Sequence, residues 1–106
     1  MTDRDFQTLL EAIHRRNKNI LGKKAAEYAR EDRLSNFKKA GALQACPPEK
    51  ACFGMLAKHL VSIADLVNDL EKGYDTPTPV WTEKIGDAEN YLFLLEGLLQ
   101  DRYGGD

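Results

Sequence analysis

Residues 47–73, PPEKACFGMLAKHLVSIADLVNDLEKG, decide the fold class. Two prolines open the stretch. The first stops whatever precedes it, because proline lacks the amide donor and disfavours a helical residue before it. The second suits a first helical turn, as does Glu49 beside the positive helix end. Leu56, Leu60, Ile63, Val67 and Leu70 then recur at steps of four and three, the signature of one helix face. Lys72-Gly73 closes the run as a C-terminal signal. One long helix is therefore expected here.

Upstream, Phe6, Leu9, Leu10, Ile13, Ile20 and Leu21 recur at helical spacing with Asn17 as a polar break, so a helix is expected from Asp3 to about Leu21. Thr2 or Asp3 can cap it, and Gly22 ends or kinks it unless the helix continues toward Ala29. Arg30–Leu34 is charged and stripeless, and reads as a loop. Ser35 is placed to cap a short helix ending before Pro47. Downstream, GYDTPTPVW (73–81) reads as a crossing loop, with Thr82 capping a last helix. On that helix Ile85, Ala88, Leu92, Leu95 and Leu99 form the expected buried stripe. Phe93, Leu94 and Leu98 widen it, which suggests burial on two sides through a homodimer or higher homo-oligomer. The tail RYGGD is expected to fray. The expected architecture is all-α: a small four-helix bundle in one domain of 106 residues, completed by oligomerisation.

No run of 18 apolar residues occurs, and the start MTDRDFQTLL is charged, so the expectation is a cytoplasmic protein with no membrane partner. Cys46 and Cys52 are too few for a disulfide framework and too poorly spaced for zinc, and are expected as free thiols. Residues 1–40 carry ten Lys/Arg against six Asp/Glu, and residues 41–106 carry five against eleven. This bipolar chain lacks the uniform basic coat that duplex nucleic acid requires. It suits a phosphate on one half and a cation on the other.

Glu83, Asp87 and Asn90 share one face of the last helix, and two carboxylates with an amide oxygen are hard donors that suit Mg²⁺. On the middle helix Ser62 lies one turn from Lys58 and from His59, with Asp65 a turn beyond it, and Lys, His and Ser are phosphate donors. Tyr28 and Asn36 flank the expected loop, where an aromatic and an amide can hold a base. Gly54, Gly86 and Gly97 interrupt helices, for packing or for a ligand's approach. No nucleophile–base–orienter triad assembles, and neither a Walker loop nor a Rossmann glycine fingerprint is present.

The order Glu27-Tyr28, Ser35-Asn36-Phe37, Lys58-His59 and Asp87-x-x-Asn90-Tyr91 resembles a helical family of phages and prophages described as nucleotide-modification-associated. That family is similar to the all-α NTP pyrophosphohydrolases of the MazG and dimeric dUTPase type. The resemblance implies a nucleotide ligand, Mg²⁺ on Glu83 and Asp87, and hydrolysis by a metal-held water if turnover occurs. The Glu-x-x-Glu motif of those enzymes is missing from the middle helix, where Lys58, His59 and Ser62 stand instead. A second reading follows from that gap: a non-catalytic phage protein that counters host defence by sequestering a nucleotide messenger or gripping a host protein. A third is a purely structural module using the wide last helix.

Overall fold

The computed structural model describes residues 1–27 and 34–104, with side chains described for 1–22 and 34–104. Among them are four helices and no strand: α1 (Asp3–Glu27), α2 (Ser35–Leu43), α3 (Pro48–Glu71) and α4 (Thr78–Tyr103). The chain is all-α, as expected. It divides into two compact units, Met1–Arg33 and Leu34–Asp106.

In the first unit, α1 starts with a reciprocal cap. The amide of Thr2 donates to Asp5 Oδ2 and the amide of Asp5 donates to Thr2 Oγ1, each at 3.1 Å. Two orphan amides of the first turn are thereby satisfied. Gly22 does not end the helix, which runs on to Glu27. The expected loop 30–33 and Tyr28 lie outside the described residues.

In the second unit, α3 packs against both α2 and α4. Ser35 is the first residue of α2 rather than its cap. Leu34, already turned at φ −98 and ψ 7, takes the cap position without a side-chain hydrogen bond. It packs instead against the core of Phe37, Cys52 and Leu98. The α2–α3 turn is a Schellman closure: the Cys46 amide donates to the Gly41 carbonyl at 2.9 Å and the Ala45 amide to the Ala42 carbonyl at 3.3 Å. It holds Ala45 at φ 53, in the left-handed region that disfavours a Cβ. Ala45→Gly is therefore expected to stabilise the fold by about 1 kcal/mol, read as a higher urea midpoint with an unchanged slope.

The last helix begins earlier than expected. Thr78 opens α4 behind Pro77, so Thr82 lies one turn inside rather than at the cap. Pro79 reads as a breaker in the sequence, but in a first turn its missing amide costs nothing. The Val80 amide donates to the Pro77 carbonyl at 3.0 Å. At the other end Gly104, at φ 58, stops α4 after Tyr103, so Arg102 and Tyr103 of the expected frayed tail are helical.

The helices α3 and α4 run antiparallel. Arg102 in the last turn of α4 grips Glu49 in the first turn of α3, its Nε donating to both carboxylate oxygens at 3.0 Å and its Nη2 to Oε2 at 2.7 Å. This guanidinium holds the Glu49 carboxyl below the usual carboxylate range. Lys38 reaches Asp101 at 3.1 Å from α2.

The core faces match the expected stripes only in part: Leu56 and Ala88 are buried and Ile63 and Leu95 half-buried as expected, but other members are not. On α3 the buried residues are Ala51, Cys52 and Leu56, while Leu60, Val67 and Leu70 are exposed. On α4 Ala88 and Leu98 are buried, whereas Ile85, Leu92 and Leu99 are exposed. Phe37, Leu98 and Cys52 meet where α2 joins the α3–α4 pair, so the core sits near the start of α3 and the end of α4. Both cysteines are free thiols; Cys52 is fully enclosed and Cys46 half-buried. Over an 18-residue window α3 has a mean hydropathy of 1.2, enough by length and composition to cross a membrane. Lys58 and Asp65 stand in its middle, a composition that is costly in hydrocarbon.

Candidate functional site

The antiparallel register brings the middle of α3 opposite the first half of α4. His59 stands at their junction, half-buried. Its Nδ1 is 3.8 Å from Asp87 Oδ2, an ion-pair distance when the imidazole is protonated rather than a hydrogen bond. The ring stacks on Tyr91, with centroids 5.1 Å apart and planes 26° from parallel. Tyr91 meets the edge of Phe37 on its other side, at 6.4 Å and 78°. The imidazole is thus placed by a carboxylate and an aromatic face, and Tyr91 is fixed from α2. Cys52 adds to this support, its thiol directed at the Tyr91 carbonyl at 3.6 Å. Burial pushes that thiol up from its ordinary range, and Glu49 adds to the effect, so it stays protonated and structural.

Asn90 is the unusual member of the group. It is 3% exposed, and neither its amide nitrogen nor its amide oxygen finds a hydrogen-bond partner. A buried amide left unpaired costs about 1–3 kcal/mol, so its presence asks for a ligand or a water. Glu83, Asp87 and Asn90 lie along one line of α4 at steps of four and three, as expected from the sequence. Their settings differ: Glu83 is exposed, Asp87 half-buried and Asn90 buried.

Other expected site residues fare unequally. Lys58 is exposed, one residue before His59. Ser62 turns its hydroxyl back to the Lys58 carbonyl at 3.2 Å, the usual habit of a helical serine, which engages the donor expected for phosphate. Asn36 is exposed at the start of α2, and among the described residues no hydrogen bond joins it to His59 or Asp87. Tyr28 falls outside the described residues. No three His, Cys, Asp or Glu side chains converge as a metal cage among the described residues. Glu83 and Asp87 offer two carboxylates, enough for Mg²⁺ only when phosphates and waters complete its octahedron.

Two of the glycines expected to serve packing or a ligand's approach differ in their surroundings. A Cβ on Gly54 would meet nothing within 4 Å, and one on Gly97 would touch only the Leu34 methyls at 3.8 and 4.0 Å. Tyr91 is the residue that the sequence reading left out of the site. Its signal was its place one turn after Asp87, on the same side of α4. Comparison of the chain with the models of known protein families, with curated proteins and with solved structures finds no match in any of the three.

Proposed function

We propose that the α3–α4 pair binds a phosphate-bearing nucleotide. The observation that carries the reading is the bridge from His59 to Asp87 beside the buried, unpartnered amide of Asn90. Lys58 supplies positive charge and the His59 ring an N–H donor for phosphate oxygens. Asp87 stands beside the imidazole edge and Tyr91 holds its plane. The Asn90 amide offers a donor and an acceptor to a base or a sugar hydroxyl. Mg²⁺ would enter with the phosphates, on Glu83 and Asp87, neutralising the charge that the acidic half of the chain otherwise repels. The resemblance to the phage nucleotide-modification-associated family supports the same ligand class.

A second reading, sequestration of a nucleotide messenger without turnover, is favoured by Lys58, His59 and Ser62 standing where related hydrolases carry Glu-x-x-Glu. Binding is common to both readings, and product formation separates them. In a panel of nucleoside triphosphates and cyclic nucleotides with and without Mg²⁺, at least one compound is expected to raise the melting temperature. Lys58→Ala and Asp87→Asn are each expected to weaken its binding by about tenfold, the loss of one charge-assisted contact. If no compound shifts the transition, or if both variants bind like the parent chain, the reading fails.

A further inference from the structure

The side of the α3–α4 pair away from Lys58 and Asp87 carries an apolar face that the fold leaves open. On α3, Lys50, Phe53, Ala57, Leu60, Ala64, Val67 and Glu71 succeed one another at alternating steps of three and four. That is a heptad seam over three repeats. Its large members are half-exposed: Phe53 at 56%, Leu60 at 46% and Val67 at 50%. Ile85, Leu92 and Leu99, all exposed, form a seven-residue line on α4. Both lines are turned about a quarter to a third of a turn, in the same sense, from the faces on which the two helices meet. In antiparallel helices equal turns fall on the same side. The register set by Glu49–Arg102 and His59–Asp87 then brings Phe53, Leu60 and Val67 alongside Leu99, Leu92 and Ile85 with an axial offset of about one turn.

The α3 seam is a palindrome. From either end it reads charge, large apolar, alanine, Leu60, alanine, large apolar, charge, and the two end charges are opposite. A two-fold axis through Leu60 therefore lays the seam on itself with Lys50 against Glu71 at both ends. A parallel pairing would set Lys50 against Lys50. The alanines allow the two α3 backbones to approach closely. The face is about 30 Å long and two helices (~20 Å) wide, on the order of 600 Å². A standard interface buries ~800 Å² per partner.

We infer that this face binds a second copy of the chain, with the two α3 helices antiparallel about Leu60. The inference does not rest on the nucleotide reading, because it uses the opposite side of the pair.

Sedimentation equilibrium of the full chain tests it. A monomer–dimer equilibrium at micromolar concentrations is expected, and Leu60→Glu raises its dissociation constant by about 30-fold or more. Lys50→Glu and Glu71→Lys, both at exposed positions, each weaken the dimer, and the double variant restores it. A chain that stays monomeric up to its solubility limit overturns the inference. So does a dimer whose charge-swapped double variant is no tighter than the single variants. A monomer destabilised by Leu60→Glu would mean that the chain covers its own face. Adsorption to uncharged lipid vesicles without self-association would mean that a membrane does. Either result overturns the inference too.

Discussion

Leu98→Ala is expected to destabilise the fold by about 3 kcal/mol and to lower the melting temperature on the order of 15 °C. Leu98 is 2% exposed and lies in the cluster where α2, α3 and α4 meet. Phe37 and Cys52 share that cluster, and the surrounding backbone is helical on every side, so the walls cannot close over the missing methyls. Leu43→Ala removes the same atoms from a site that is 89% exposed and should cost less than about 0.5 kcal/mol. Urea denaturation of the two variants checks the difference. Equal losses would mean that the second unit is not held together where its three helices join.

The second large effect is steric. A Cβ placed on Gly41 would lie 2.7 Å from the Cys46 carbonyl oxygen, 3.0 Å from the Pro48 nitrogen and 3.2 Å from the Pro47 carbonyl carbon. All three are backbone atoms, and two consecutive prolines stiffen the segment, so no side chain can swing aside. Gly41→Ala gains about 1 kcal/mol of helix propensity yet must displace the start of α3. A net loss of about 2–3 kcal/mol is expected, with weakened packing of α2 on α3. Gly54→Ala, in open space within α3, keeps the propensity gain and should stabilise by up to about 1 kcal/mol. The same substitution at two helical glycines thus has opposite signs, which denaturation of both variants will show. Two losses would mean that Gly54 meets a neighbour the fold does not reveal.

The helix boundaries were legible where backbone chemistry sets them. Pro47-Pro48 and Lys72-Gly73 bound α3 as the sequence predicts, because a missing amide and a left-handed residue act locally. The start of α4 was not legible. Pro79 is compatible with a loop and with a first helical turn, and only the path of the chain chooses between them. The choice of core face was also hidden. On α3 the small Ala51 and Cys52 lie inward while Leu60 and Val67 look out, so hydrophobicity alone ranks the faces in the wrong order. Contact at close range selects small residues, a property of the pair of helices rather than of either one. In the site, the common line of Glu83, Asp87 and Asn90 followed from periodicity. The meeting of His59 with Asp87 and Tyr91 required the axial register of two helices, which no single segment encodes. The hydroxyl of Ser62 turns to a carbonyl of its own helix, a choice that residue spacing does not reveal.

The enclosure of Cys52 makes the molecule its own reporter. An alkylating reagent can reach that sulfur only when α2 or α4 lifts away, whereas Cys46, half-buried in the turn before α3, stays within reach. The ratio of the two labelling rates in one tube therefore measures how often this end of the fold breathes, with no spectroscopic label and no change to the chain.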